Sequence, residues 1–287
     1  MSYGRQTVER RQMGLMLKKL REQLDVSQLE AARAIDRKQT RISRVENGVG
    51  SLGQDELARL LDFYGVSGDE REVALTLGLQ ARRRTRGPTY TDDLPRSFER
   101  LADLQADATA IGFYDTGIVP GLAQSAEYAR AVFAACDGVW WPSSEEEIRR
   151  RLDFRLEQQR RVLEASEPKD ITLVLTETAL DQVVGSPSVL GGQLEHLLRL
   201  ADRDDVTVQI IPRSVPDNPV LGEGLITLDF GASAPRIAFK GSHAPATYYD
   251  HEQDTTPMFR AMERLRELAS SPEASGELLS AKLRGVQ

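Results

Sequence analysis

Apolar residues recur at helical spacing through the first part of the chain. Met13, Leu17, Leu20 and Leu24 predict an amphipathic helix over 13–24. Ser27, with Glu30 three residues on, is the start signal of a second helix, since the two side chains can cap each other's backbone N–H groups. Ala31, Ala32 and Ile35 give that helix a small apolar face, and Asp36-Arg37 interrupts it. A third helix is expected over 38–46, with Ile42 and Val45 inward and Gly48 at its end. Leu57, Leu60, Leu61 and Tyr64 mark a fourth, from Gln54 to Tyr64, and 69–86 begins as a further helical stretch.

The basic run Arg82-Arg83-Arg84-Thr85-Arg86-Gly87-Pro88 reads as a linker, either solvated or touching a polyanion. Helices are expected at 94–110 and 124–135, separated by the Pro120-Gly121 turn signal, and a long charged one over 143–165. The pattern changes after Pro168. Ile171–Leu175 and Val206–Ile211 are short β-branched runs on either side of a helical 188–202, a strand–helix–strand unit that predicts parallel strands. Gly224–Phe230 and Arg236–Lys240 can form a hairpin around 231–235, and helices at 256–269 and 273–284 follow. The expected fold class is α+β: an all-helical N-terminal domain over 1–81, a linker over 82–93, a helical connecting region over 94–168, and a small mixed α/β effector-type domain over 169–287.

Charge adds what periodicity leaves out. The net charge is −7, yet residues 1–86 hold 17 Lys/Arg against 12 Asp/Glu, a local +5, and the remainder carries −12. A basic first module on an acidic body is the asymmetry expected when one module alone meets phosphate. No segment reaches the roughly 18 consecutive apolar residues that cross a bilayer, and Met1–Arg11 has no signal-peptide pattern, so a cytoplasmic protein without membrane contact is expected. One cysteine, Cys136, excludes an internal disulfide or a Cys-rich zinc site, and His196, His243 and His251 are too scattered for a metal cluster. No Gly-x-Ser-x-Gly, His-Glu-x-x-His or phosphate-loop motif is present, so neither catalytic residues nor a cofactor is expected.

A short helix, a tight turn and a second helix with a polar outer face is the arrangement that places the second helix in a DNA major groove. With Ile42 and Val45 inward, the outer face shows Gln39, Thr40, Ser43 and Arg44. Gln can bond adenine through two atoms, Arg can bond guanine, and a Thr methyl can meet thymine. Lys38, Arg41 and Gln28 are better placed for phosphate, which supplies affinity and register. Met13-Gly14, Leu17, Leu20-Arg21, Ser27-Gln28, Ile42-Ser43-Arg44 and Glu46-Asn47-Gly48 together resemble the phage-repressor, or XRE, family of helix-turn-helix regulators. The resemblance implies that Gln28 and Asn47 touch the DNA backbone and that Gln39, Thr40 and Arg44 face base pairs. Two departures fall in turns: Asp36-Arg37 stands where the family has Gly and an apolar residue, and Asp25 replaces a common Gly. Asp tolerates the turn conformation, and Arg37 must then point outward.

Further on, Pro120-Gly121-Leu122-Ala123-Gln124 with Glu127-Tyr128-Ala129-Arg130, followed by Gln159, Glu177, Gly185, Gln193-Leu194 and Ile211-Pro212, is similar to a group of actinobacterial regulators. Those join an XRE domain to a C-terminal domain of unknown function and are described as antitoxin-like, often beside a small companion protein. Here Ala123 and Gln158 stand where Leu and Arg are common. The resemblance implies control by that companion; a homodimer on a double-stranded DNA operator is expected because one such domain buries a small interface and two half-sites are needed. A one-component sensor of a small-molecule effector is the alternative, and an enzyme fused to a DNA-binding domain is the remote one. Candidate ligand contacts are Tyr128, Glu177, His243 and Tyr248. Glu177 reads also as a carboxylate at the N-terminus of a helical 178–184 segment, the His243 and Tyr248 region as a solvent-facing loop, and Trp140-Trp141 as either core or an exposed anchor.

Overall fold

The structure is a computed structural model and describes residues 6–83, 89–220, 222–231, 234–240 and 246–286. The backbone divides into two compact units. The described residues of Met1–Asp107, Ala232–Ile237 and His243–Thr255 form the first, and those of Ala108–Gly231, Ala238–Ser242 and Thr256–Gln287 form the second.

In the first unit, Thr7 accepts a hydrogen bond from the Arg10 N–H and starts α1 (Val8–Gln23) one turn before the apolar spacing announces it. Ser27 and Glu30 make the expected capping box of α2 (Gln28–Ala34). Asp36 then takes a left-handed φ of 56°, which turns the chain into α3 (Gln39–Glu46) and accounts for a short polar residue there. Asp25 does the same at 54°, and Gly48, at 69°, ends α3. Arg37 points outward, its Nε 2.6 Å from Glu56 Oε1 on α4 (Gln54–Phe63). Met13, Leu17, Ala32, Ile35, Ile42, Val45, Leu61 and, from α5 (Gly68–Arg82), Leu77 close one core. Gly14 is where α1 meets the end of α3: a Cβ there would strike the carbonyl oxygens of Val45 and Glu46.

This unit holds more than helices. Thr89–Asp92 forms β1, inside the stretch expected as linker, and pairs antiparallel with β7 (Ala246–Tyr249) from far along the chain. Tyr90 and Tyr248 face each other in that register, with ring centroids 5.9 Å apart. Asp92, wholly buried, accepts from Arg100 Nε at 2.8 Å and Nη2 at 2.6 Å, Arg100 lying on α6 (Ser97–Asp107). Gln12 Nε2 reaches the same carboxylate at 3.4 Å, the Val8 N–H donates to Asp250 Oδ2, and Arg11 pairs with Asp107. Val8, Glu9 and Gln12 are therefore buried on a second face of α1, covered by segments outside the helix-turn-helix. The division of the chain differs accordingly from 1–81, 82–93, 94–168 and 169–287: α6, β1 and β7 belong with the N-terminal helices. Residues 84–88 of the basic run lie outside the described residues.

The second unit is built on four strands, in the spatial order β5 (Leu225–Asp229), β2 (Ala110–Asp115), β3 (Asp170–Thr176), β4 (Val206–Ile211), with β6 (Ile237–Lys240) beside β5. β2 and β4 flank β3 in parallel, and β5 runs antiparallel to β2. The strand–helix–strand expectation holds: β3 leads through α9 (Glu177–Asp181) and α10 (Pro187–Ala201) to β4. Ser186 caps α10 and a Pro opens it. β2 corrects the reading of 94–168 as helical. It is a central strand with a partner on each side, so Ile111, Phe113 and Tyr114 are a buried run without alternation. Gly112 interrupts that run because the Met262 side chain and the Thr227 hydroxyl occupy the space of a Cβ. The expected β5–β6 pairing is present; residues 232–233 of its turn lie outside the described residues.

Before β3 run the short 3-10 turn Gly121–Ala123, α7 (Ala126–Cys136) and α8 (Glu145–Leu163). The chain ends in α11 (Glu252–Leu268) and α12 (Pro272–Val286). Buried Ser275 on α12 accepts from the Ile210 N–H at 3.0 Å and ties that helix to β4. Among the described residues, no helix is long and apolar enough to cross a membrane.

Candidate nucleic-acid interface

The outer face of α3 is set by what its inner face buries. Ile42 and Val45 enter the core at 1% exposure, so Gln39, Thr40 and Arg44 are exposed and Ser43 half-exposed. These four, with Asn47 and Val49, line one open surface concavity. The groups expected to read bases are therefore brought together, and Asn47 closes the row as the residue that ends the helix.

A buried ion pair holds this face in position. Arg21 of α1 donates to Glu46 of α3 from Nε at 2.6 Å and from Nη2 at 3.0 Å, with only 11% and 3% of the two side chains exposed. The Glu46 hydrogen bond holds the guanidinium pKa above its ordinary value, against the desolvation that works the other way. Arg21 also donates to the Val26 carbonyl in the α1–α2 turn. Glu46 accepts a third hydrogen bond, from Gln28 Nε2 at 2.7 Å, and Gln28 Oε1 accepts from Gln39 Nε2 at 2.6 Å. The relay Arg21–Glu46–Gln28–Gln39 thus runs from the core to the exposed face. A glutamine amide has two donors and a carbonyl oxygen. After its bond to Gln28, Gln39 keeps one donor and the acceptor, the pair that adenine requires. Sequence reasoning missed the ion pair, because Arg21 and Glu46 read as ordinary charged helix positions.

The expected phosphate contacts have mixed surroundings. Lys38 is exposed at the N-cap of α3, with no side-chain cap bond. Arg41 is half-buried and held: Nη2 donates to the Ser51 carbonyl at 2.6 Å and stands 3.5 Å from Glu56 Oε2. Burial works against the Glu56 charge, but the Gly53 N–H, Arg37 and Arg41 keep its pKa below the ordinary value.

The four candidate ligand contacts fall in different places. Tyr128 is fully buried on α7, and desolvation pushes its hydroxyl pKa up. Glu177 opens α9 at the end of β3 and is engaged by Lys282 Nζ at 2.9 Å and the Arg213 N–H at 3.1 Å. The Lys282 hydrogen bond lowers its pKa, and Asp181 shares both Lys282 and Arg213, so this carboxylate sits in an ion-pair cluster. Tyr248 belongs to the first unit, buried against Tyr90 with its pKa pushed up by burial. His243 lies outside the described residues. Trp140 is 63% exposed and not core, while Trp141 is half-buried beneath Arg151, 3.8 Å from its ring centroid. Among the described residues, no group of three His, Cys, Asp or Glu is placed to hold a metal ion.

Residues 12–74 match a family described as helix-turn-helix domain. Residues 98–281 match a domain of unknown function, DUF5753. No curated protein and no solved structure matches the chain.

Proposed function

Because the chain belongs to the DUF5753 family and carries a helix-turn-helix domain ahead of that region, we propose that it is a sequence-specific transcriptional regulator of the XRE type, in which α3 enters the DNA major groove. The observation that carries this reading is one shared concavity lined by Gln39, Thr40, Ser43, Arg44 and Asn47, on a helix fixed from behind by the buried Arg21–Glu46 pair. Gln39, Thr40, Ser43 and Arg44 read base edges, and Gln28, Lys38, Arg41 and Asn47 hold the phosphate backbone.

One such helix buries a small interface, so the regulator acts as a homodimer on two half-sites about one helical turn apart. The residues from 98 onward serve control, not chemistry. The resemblance to actinobacterial antitoxin-like regulators supports a small companion protein as the controlling partner. Selection of bound duplexes from a random pool with the full-length chain tests the reading. The expected result is an enriched two-fold-symmetric sequence, and recovery of unselected sequence at every salt concentration would refute it.

A further inference from the structure

The two buried arginines among the described residues come with carboxylates. Arg21 has Glu46 and Arg100 has Asp92, each through two short hydrogen bonds. Arg151 on α8 is paired with Glu147 at 2.8 Å while it covers Trp141. Arg155, one turn further along α8, breaks the rule. Its Nε is sealed from solvent with no hydrogen-bond partner, and no described carboxylate is placed to pair with it. Burial alone pulls its pKa down to about 10, with no neighbouring charge to oppose the effect. A half-buried cation without a partner is costly in proportion to its desolvation, because that energy is not returned.

The surroundings of Arg155 are prepared for it. Its guanidinium occupies the space that a side chain on residue 121 would fill, so Gly121 leaves room for it. Phe133 on α7 lies beneath it, 5.8 Å from ring centroid to Cζ, which returns part of the desolvation cost. The turn it rests on is held by three glutamines. Gln159 donates to the carbonyls of Gly121 and Gln124, Gln124 to that of Val119, and Gln193 to that of Ala123. Those backbone acceptors are thus already engaged. Arg155 as a whole is only half-buried while its Nε is sealed, so the forked end of the guanidinium is the part open to a ligand.

We propose that Arg155, seated between Gly121, Phe133 and α8, is the anion-binding group of an effector site that takes a small molecule bearing a carboxylate or phosphate group. The planar fork of Arg matches either anion through two parallel hydrogen bonds. The site lies entirely within the second unit and stands independently of how α3 reads DNA.

The test uses the full-length chain, with inorganic phosphate and acetate as probes, at constant ionic strength set with chloride. Thermal unfolding and titration calorimetry are read for wild type, Arg155→Leu and Arg155→Lys. The expected result is saturable stabilisation of wild type by at least one probe, weakened about tenfold or more in Arg155→Leu and less in Arg155→Lys. Without any probe, Arg155→Leu melts no lower than wild type, because a half-buried charge without a partner has been removed. A response to phosphate alone points to a phosphorylated effector, and a response to acetate alone to a carboxylic acid. Wild type without a saturable response to either probe would overturn the proposal, as would a response undiminished in Arg155→Leu. An Arg155→Leu chain that melts lower or fails to fold would assign Arg155 to packing and overturn it equally.

Discussion

Replacing Glu46 by Ala leaves the Arg21 guanidinium behind, still mostly buried. Three hydrogen bonds disappear: two from Arg21 and one from Gln28. Arg21 keeps the Val26 carbonyl at 2.9 Å and the exposed Glu22 carboxylate at 3.4 Å, so the loss is not total. Breaking a buried pair from one side costs about 3–5 kcal/mol. The surviving partners place this case near the lower end, about 3 kcal/mol. Urea unfolding of the helix-turn-helix, followed by circular dichroism, measures it. With a slope of about 1–3 kcal/mol per molar, the midpoint falls by about 1–3 M while the slope stays the same. The double variant Arg21→Met with Glu46→Leu removes the stranded charge as well. It is expected to return to within about 1 kcal/mol of wild type, since apolar replacements of a buried pair are close to neutral. DNA affinity does not return with stability, because Gln28 and through it Gln39 have lost their anchor. A loss below about 1 kcal/mol for Glu46→Ala, or a double variant as unstable as the sum of the two single ones, would refute this account of how α3 is held.

Lys38→Ala is expected to weaken operator and scrambled DNA alike and to reduce the salt slope of binding by about one unit, as read from titrations at several salt concentrations. A fragment of residues 1–88 exposes Val8, Glu9 and Gln12, which the full chain buries at 3% exposure or less. Its helix-turn-helix is therefore expected to unfold at lower urea than in the full chain, and equal midpoints would show that β1, α6 and β7 add no stability.

The parts legible in the sequence are those decided by neighbours along the chain. Ser27 and Glu30 cap each other within one turn, Asp36 needs a left-handed φ, and the 3.6-residue period of Ile42 and Val45 separates the inner from the outer face of α3. The parts that stayed hidden depend on residues far apart. β1 and β7 have four residues each, and their pairing joins Tyr90 to Tyr248. Neither carries enough apolar alternation to announce a strand. Asp92 and Arg100 read as solvated charges and prove to be a sealed pair. The same applies to Arg21 with Glu46, and to Glu177, whose partner Lys282 lies near the far end of the chain. A charged residue shows its type in the sequence, but its partner emerges only with the fold. Trp140 shows the same limit, since its residue type fits both core and an exposed anchor and only the fold places it at the surface.

Arg44 is the residue that best distinguishes base reading by the exposed face of α3 from contact with the DNA backbone. Equilibrium binding of wild type and Arg44→Ala is measured at one salt concentration, on the selected operator and on a scrambled duplex of the same composition. A lost guanine contact costs about 1–3 kcal/mol, roughly 5- to 150-fold in affinity. Base reading by Arg44 gives that loss on the operator with little change on the scrambled duplex. An equal loss on both would contradict it and leave Arg44 as a phosphate contact.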